Sequence, residues 1–393
     1  MLTKEISENI HLLAFNDRRT QLFENLWPLP EGVSYNSYLI TGSKNILIDT
    51  AERRFGDDFF NAIDRILQGG NLDYLLINHV EPDHSGLLAQ LLIKYPSLEI
   101  YCSKMHRDLL NQFYEIKATF NIIEDGANVK LGDNDFTFYS TQFVHWPDSQ
   151  VTYENNCKIL FSNDSFGSFG TLNGGVFDDE IELEERMPEA IRYWTNIVGK
   201  YGKQTQKALQ KLCGLEIKML APSHGILWRS HVAKIMNTYY TLSSYEGEKA
   251  ITIVFGSLYG NNENAADAAA QGAAEAGIKK VRVFDSSKVH PSYIMNEIIK
   301  NKGVILVSSV YNGGIFPSMS NILGSIAECK VPNKKAAVIG GYSWGAAPLK
   351  KLDATIEEAG WEKIGETVKF AGAPKEADLK AAYELGKLLA ESL

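Results

Sequence analysis

The sequence has few cysteines, and none of them lie close together along the chain. Its 393 residues include only four, which are Cys102, Cys157, Cys213 and Cys329. No C-x-x-C pair occurs, so neither a zinc ribbon nor a rubredoxin-type iron site is expected. We therefore expect four reduced thiols at core or near-core positions.

The sequence also lacks an excess of positive charge and any long apolar run. It has 39 Lys and Arg against 48 Asp and Glu, a net charge of −9, which argues against nucleic acid and an anionic membrane as partners. No stretch reaches the roughly 18 apolar residues of a membrane span. The opening segment "MLTKEISENI" has no apolar signal-peptide core, so we expect a cytoplasmic location.

The sequence has two halves that differ in how predicted strands and helices follow one another. Up to residue 249, strand-like runs such as "SYNSYLI", "DYLLINH", "DFTFYSTQF" and "VTYENNCKILFSND" follow one another closely, with helical patterns at 56–67, 85–94 and 203–212. Apolar and β-branched residues dominate the runs, and turn residues bound several of them. This pattern favours two sheets covered by helices.

From residue 250 the pattern becomes regular. The strand "AITIVFGS" leads to a helix from about residue 262, and "KVRVFDS", "GVILVSS", "KAAVIGG" and "IGETVKFAG" each lead to another helix. Nearly all-apolar strands that alternate with helices indicate a parallel sheet covered on both faces. We predict an α/β protein with domains at 1–249 and 250–393.

A cluster of possible metal ligands follows the apolar strand "LDYLLIN". The segment "HVEPDH" offers His79, Glu81, Asp83 and His84 within six residues, and Pro82 stiffens it. We expect an extended loop, in which side chains 79, 81 and 83 face one side and side chain 84 points elsewhere. Such a loop is able to supply residues 79 and 81 to one metal and residues 83 and 84 to another.

Three more candidate ligands each follow an apolar strand, where sites in such sheets usually lie. They are His145 in "FVHWPD", Asp164 in "LFSND" and His224 in "LAPSHG". Imidazole suits zinc, copper and iron, whereas the added carboxylates favour harder ions, so the residues alone leave the metal open. We expect the other four histidines to be surface or core residues: His11, His106, His231 and His290.

The second half contains a candidate phosphate cradle between its first strand and first helix. It is neither a G-x-G-x-x-G fingerprint nor a P-loop, but it offers hydroxyl, amide and backbone N–H donors at a helix start. Its residues are Ser257, Leu258, Tyr259, Gly260, Asn261 and Asn262. The later loops "SSVYNGGIFPSM" and "GGYSWGAAP" carry aromatics among glycines, and loops at carboxyl strand ends form the ligand crevice of such sheets.

The first half resembles the metallo-β-lactamase superfamily, and Glu81 together with the second half makes the chain resemble the flavodiiron proteins (A-type flavoproteins) over about residues 3–390. This resemblance implies an N-terminal metallo-β-lactamase-like αβ/βα sandwich, followed by a C-terminal flavodoxin-like doubly wound parallel sheet. It implies two irons per chain. His79, Glu81 and His145 would bind one, Asp83, His84 and His224 would bind the other, and Asp164 would bridge them.

The cradle is similar to the Ser-Met-Tyr-Gly-Asn-Thr form of the FMN-phosphate loop in this family. Leu258 stands for Met and Asn262 for Thr, so we expect an amide donor in place of a hydroxyl donor. Ser309 stands where the family more often has Thr or Pro. By resemblance, two further loops flank the isoalloxazine, with Trp344 packing near the ring; their residues are Val310, Tyr311, Asn312, Gly313, Tyr342, Ser343, Trp344, Gly345 and Ala346.

The resemblance implies reduction of dioxygen to water, of nitric oxide to nitrous oxide, or of both, with electrons relayed through FMN. It implies a head-to-tail homodimer, or a dimer of such dimers, and a separate electron donor such as rubredoxin or a reduced deazaflavin. We expect a small, largely apolar substrate pocket near Tyr193 and Trp146. Two alternatives stay open: a binuclear zinc hydrolase fused to an FMN domain, and a diiron oxygen sensor without turnover.

Overall fold

The computed structural model describes residues 1–393 and divides them into two compact units. Unit 1 comprises Met1–Trp194 and Lys203–Tyr240, and unit 2 comprises Thr195–Gly202 and Thr241–Leu393. No helix in either unit is long and apolar enough to cross a membrane. The domain bounds predicted from the sequence, 1–249 and 250–393, stay a prediction.

Unit 1 is built on two sheets. The first has seven strands, antiparallel for the first four and parallel beyond, in the order Leu2–Ser7, Ile10–Asp17, Val33–Ile40, Ile46–Ile48, Tyr74–Leu76, Glu99–Cys102 and Thr119–Ile122. The second has five strands, antiparallel except for the last pair, in the order Asn128–Leu131, Asn134–Ser140, Gln150–Glu154, Ile159–Asn163 and Met219–Pro222. A short hairpin pairs Leu22–Phe23 with Trp27–Pro28.

The helices between residues 1 and 244 are Gly56–Leu67, Pro82–Ser85, Leu88–Lys94, Lys104–Tyr114, Leu183–Tyr193, Gly202–Leu212 and Val232–Ser244, with a 3-10 turn at Arg53–Phe55 and a π-helical turn at Trp194–Val198. The first of them shows why the pattern predicts a helix. Phe59, Ala62 and Ile63 are buried at the i, i+3, i+4 spacing of one helical face. The helix ends where Gln68 adopts φ +49, in the left-handed region typical of C-caps.

Unit 2 is a single sheet, parallel except for one short strand, in the order 2-1-3-4-5. The fifth position is shared by two short strands that both pair with the fourth, and helices cover both faces. Its strands are Glu248–Gly256, Val281–Asp285, Asn301–Tyr311, Lys335–Tyr342, Glu362–Lys363 and Val368–Ala371, with a short antiparallel strand at Gly314–Ile315. The helices are Asn261–Glu275, Pro291–Lys300, Pro317–Cys329, Lys350–Glu358 and Glu376–Ser392, and a 3-10 turn lies at Ala347–Leu349.

Successive residues of the central strands of unit 2 pack into different cores. Ile253 and Ile305 pack with the helices on one face, and Val254 and Leu306 pack with those on the other. Because both faces are covered, these strands have no polar side and read as unbroken apolar runs. The α/β prediction, with a doubly wound parallel sheet in the second half, is confirmed.

Candidate metal centre and flavin crevice

Four of the seven predicted ligands meet in one buried group in unit 1: His79, Glu81, His145 and Asp164. Oε2 of Glu81 lies 3.2 Å from Nε2 of His79 and 3.4 Å from Nε2 of His145. Oδ2 of Asp164 lies 3.6 Å and 3.3 Å from the same two nitrogens. The group therefore presents two imidazole nitrogens and two carboxylate oxygens to one point.

The other three predicted ligands form a second group, Asp83, His84 and His224. The two oxygens of Asp83 lie 3.4 Å from Nε2 of His84 and 3.3 Å from Nε2 of His224. Oδ1 of Asp164 lies 3.1 Å and 3.3 Å from these nitrogens. Asp164 thus turns one oxygen toward each group, which is the geometry of a bridging carboxylate.

The loop that carries four of these residues is not extended throughout. The segment Pro82–Ser85 forms one helical turn, with Pro82 at its first position, where the missing N–H costs nothing. Glu81 precedes the proline in an extended conformation, φ −52 and ψ 141. The prediction of an extended loop is therefore wrong from Pro82 onward, although residues 79 and 81 still fall in one group and 83 and 84 in the other.

The loop that carries His224 is tied to the first sheet by buried polar residues. Nδ1 of His224 donates to the carbonyl of Ser34 at 2.9 Å, and the Ser34 hydroxyl accepts from the N–H of Gly225 at 2.8 Å. The Asn36 amide donates to the carbonyls of Pro222 and Gly225. These bonds explain why the strand Val33–Ile40 is buried at every position yet contains polar residues.

Sequence reasoning missed the residue that orients His79. Nδ1 of His79 donates to Oδ2 of Asp148 at 2.9 Å, and the same oxygen accepts from the N–H of Val80. His106, expected to be a surface or core residue, is fully buried and donates to the Asp148 carbonyl at 2.7 Å. Asp148 lies three residues after the predicted ligand His145, and this proximity is the only feature of the sequence that places Asp148 near the metal site.

The electrostatics of the two groups favour bound positive charge. Burial alone would lower the pKa of His224, but the carboxylates of Asp164 and Asp83 outweigh burial and raise this pKa to about 10. In the same way, Asp164 and Glu81 overcome burial and raise the pKa of His145 to about 9. Burial would raise the pKa of Asp164, yet the surrounding histidines hold it well below its usual range.

Several donor atoms of the two groups fit a metal because they have no other partner. Both oxygens of Asp164, Oδ1 of Asp83, and Nε2 of His84 and of His224 are buried without a hydrogen bond. Buried polar atoms are almost always paired, since leaving one unpaired costs about 1–3 kcal/mol. Cations coordinated at this position would satisfy all five atoms together.

The two predicted pocket residues lie against the histidines. The Tyr193 ring centroid is 5.8 Å from that of His224, and its buried hydroxyl has no hydrogen bond. The Trp146 ring centroid is 5.1 Å from that of His79. A cleft of about 700 Å³ that contains charged residues opens beside Glu81. Neither Tyr193 nor Trp146 lines this cleft, so the small, largely apolar substrate pocket near those two residues stays a prediction.

In unit 2 the three predicted loops enclose a crevice of about 310 Å³ at the carboxyl ends of the strands. Gly260 adopts φ +84 just before the helix Asn261–Glu275, and this left-handed turn favours glycine. The predicted residues that line the crevice are Ser257, Leu258, Tyr259, Asn261, Asn262, Val310, Tyr311, Asn312, Tyr342, Ser343 and Trp344.

The crevice lining differs from the prediction in that some predicted residues are absent from it and some others are present. Four predicted residues do not line it: Gly260, Gly313, Gly345 and Ala346. Four others do: Ser309, Gly341, Phe370 and Gly372. Phe370 lies near the end of the strand Val368–Ala371 and Gly372 follows that strand, so the rule that ligands bind at carboxyl strand ends would have found them.

The cysteines are unpaired, as expected, but they are not all near the core. Cys102 is buried, Cys157 and Cys329 are intermediate, and Cys213 is exposed. No disulfide joins any two of them.

Two family models match the chain in succession. The model of the ODP family beta lactamase covers residues 33–225, and the flavodoxin model covers residues 253–386. An anaerobic nitric oxide reductase flavorubredoxin of Vibrio vulnificus is 31% identical over 99% of this chain and 80% of that protein. A protein of the same name from Escherichia coli strain K12 is 29% identical over 98% of this chain and 81% of that protein.

Solved structures agree in fold over the whole chain. The rubredoxin oxygen:oxidoreductase of Desulfovibrio gigas gives a TM-score of 0.96 at 26% identity and covers 100% of this chain and 98% of that chain. A flavoprotein of Thermotoga maritima gives 0.92 at 28% identity with the same coverage. A lactamase-like domain followed by a flavodoxin domain defines a class of flavoprotein oxidoreductases. The chain belongs to the flavodiiron protein family of that class.

Proposed function

We propose that this oxidoreductase reduces dioxygen to water, nitric oxide to nitrous oxide, or both, at a non-haem diiron centre held by the seven ligands, with FMN bound in the crevice of unit 2. The observation that carries the proposal is the position of Asp164, which turns one unpartnered oxygen toward each donor group. When bound, the iron pair and the flavin supply the electrons for reduction of a diatomic gas.

Each protein group has a definite task in this proposal. Glu81 supplies an oxygen donor where a zinc hydrolase loop has imidazole, which biases the first metal position toward iron. Asp148 and Ser34 hold the rings of His79 and His224 so that each Nε2 faces a metal. The buried Tyr193 hydroxyl, which has no protein partner, donates a hydrogen bond to the bound gas, and Trp146 closes the side of the site next to His79.

The partners are also part of the proposal. The electron donor is a separate protein or cofactor, such as rubredoxin or a reduced deazaflavin. The similarity to the rubredoxin oxygen:oxidoreductase of Desulfovibrio gigas supports the first. The working assembly is a head-to-tail homodimer, or a dimer of such dimers, in which the FMN of one subunit serves the metal centre of the other. A monomer with full activity at working concentration would contradict this assembly.

The test is metal analysis combined with steady-state consumption of each gas by iron-loaded protein supplied with reduced FMN. We expect two irons per chain and sustained consumption of at least one gas, and the ratio of the two rates gives the substrate preference. Two zincs with no gas consumption would favour the hydrolase alternative. A single equivalent of oxygen bound without further consumption would favour the sensor.

A further inference from the structure

Two crevice residues that depart from the family form, Asn262 and Ser309, are hydrogen-bond partners. Nδ2 of Asn262 donates to the Ser309 hydroxyl oxygen at 2.6 Å. Asn262 lies in the first turn of the helix Asn261–Glu275 and Ser309 lies near the end of the strand Asn301–Tyr311. They are only 2% and 7% exposed. The two departures are therefore one structural feature rather than two.

The network fixes which way the Asn262 amide points. The Ser309 hydroxyl donates its single proton to the carbonyl of Gly256 at 3.1 Å, so it is able only to accept from Asn262. The same Nδ2 also lies 3.4 Å from the Gly256 carbonyl. Flipping the amide would place its oxygen toward the Gly256 carbonyl oxygen, and the Ser309 hydroxyl would have to give up its bond to that carbonyl in order to donate to the flipped amide. The observed orientation keeps all of these bonds, so Nδ2 lies on this side and Oδ1 on the other.

Oδ1 of Asn262 is left as a buried acceptor without a partner. Asn262 lines the crevice, and Oδ1 would lie 2.9 Å from a Cβ atom added to Gly341. Gly341 also lines the crevice, so the oxygen lies beside the crevice lining, between the cradle and the third loop. A ligand atom that satisfies it must be a hydrogen-bond donor.

The chemistry of FMN leaves few candidates for that donor. Its phosphate carries only acceptor oxygens when fully ionised, and these would repel Oδ1. The donors of FMN are the ribityl hydroxyls and the ring N3–H. Asn262 lies in the first turn of the helix that follows the cradle, and the ribityl chain adjoins the phosphate whereas N3 lies at the far end of the molecule.

We propose, on the basis of the function proposed above, that Oδ1 of Asn262 accepts a hydrogen bond from a ribityl hydroxyl and that Ser309 positions the amide for it. The phosphate is then bound by Ser257 and by the backbone N–H groups of the cradle. This replaces the expectation that the Asn262 amide donates to the phosphate, because its N–H groups are used within the protein.

The test compares FMN with riboflavin, which keeps the ribityl chain and lacks the phosphate. The full-length protein is freed of flavin and titrated with each ligand by flavin fluorescence. We expect Asn262→Ala to weaken both ligands by the same factor, roughly 2- to 12-fold for one neutral hydrogen bond. The matched variant Ser257→Ala is expected to weaken FMN but not riboflavin.

A second measurement needs no variant. FMN analogues that each lack one ribityl hydroxyl are titrated against the parent, and we expect one of them to bind more weakly by the factor seen for Asn262→Ala. An Asn262→Ala protein that loses affinity for FMN alone would overturn the proposal, as would equal binding of FMN and every deoxy analogue by the parent. A parent that binds no FMN at all would instead contradict the proposed function.

Discussion

Nδ1 of His79 lies 2.9 Å from Oδ2 of Asp148, and both side chains are fully buried. The pair resembles the carboxylate–histidine–metal arrangements in which an outer carboxylate fixes the ring and its tautomer. Because His106 holds the Asp148 backbone from the other side, the orientation of His79 depends on a chain of three residues. Only the first of them belongs to the ligand set predicted from the sequence.

We predict that Asp148→Ala lowers metal affinity by about 10- to 100-fold, because His79 loses the group that orients it. Asp148→Asn should lose less, since its amide oxygen still accepts from His79 and Val80. A chelator competition titration on each protein measures both effects, with Asp125→Asn at the surface as the control. Equal affinity for all four proteins would show that Asp148 has no role in holding the metal.

We predict that Glu81→His lowers the affinity for iron by about tenfold and shifts the protein toward zinc, because imidazole replaces an oxygen donor. Metal analysis after loading with equal amounts of both ions measures the shift, and gas consumption should fall with the iron content. Unchanged iron content with unchanged gas reduction would refute the role given to Glu81.

We predict that Tyr193→Phe reduces kcat/KM for the gaseous substrate by about fivefold, the effect of one neutral hydrogen bond. Stability should change by no more than about 0.5 kcal/mol or should increase, because the hydroxyl is buried without a partner. Steady-state rates and thermal unfolding of the same preparation separate the two effects. A large loss of stability with unchanged kcat/KM would instead make Tyr193 a packing residue.

We predict that the free energy of unfolding of unit 2 depends on pH because of Lys334. Its buried ammonium donates to the carbonyl of Ile299 at 2.6 Å, and burial together with the charge of Lys302 lowers its pKa to about 7. Between that pH and the usual lysine pKa, the unfolded chain binds a proton that the folded chain does not. The free energy of unfolding should therefore rise with pH above 7, by up to about 1.4 kcal/mol per pH unit, and this contribution should be constant below it.

Chemical denaturation at several pH values, compared between the parent and Lys334→Met, isolates this contribution. The variant should lose the rise above pH 7, whatever its absolute stability. In Lys302→Gln the rise should begin at a higher pH, because the repulsion that lowers the Lys334 pKa is gone. Parallel profiles for the parent and Lys334→Met would contradict the prediction.

Much of the fold follows from periodicity alone. The helix Gly56–Leu67 has the predicted bounds, and Gly202–Leu212 begins one residue before its predicted start, because their apolar positions repeat at helical spacing between polar faces. The strands Leu2–Ser7 and Ile10–Asp17 were missed, and Leu2–Ser7 is half exposed, so it lacks the dense apolar run that marked the others. The break at residues 86–87, which separates the short helices Pro82–Ser85 and Leu88–Lys94, also has no signal in hydropathy, so the helix predicted at 85–94 begins too early.

The residues of the metal site also differ in whether the sequence predicts them. Residues that must bear donor atoms, such as Asp164 and His224, are visible from chemistry and strand position. Residues that orient the ligands lie far from them in sequence. Asp148 orients His79 through one carboxylate oxygen, and Ser34 orients His224 through its backbone carbonyl. Nothing local distinguishes them from ordinary polar residues, so only the folded chain identifies them.

The segment Thr195–Gly202 belongs to unit 2 although residues of unit 1 precede and follow it. The Thr195 hydroxyl donates to Oδ1 of Asn296, and the Asn196 amide donates to the carbonyl of Ser292. A recombination event with its junction at residue 249 would therefore bring in a new flavin-binding half while keeping the old segment that must bond to it. Exchange of halves between relatives thus requires either compatible residues at 195–202 or compensating substitutions, so the two coding regions are expected to have diverged together.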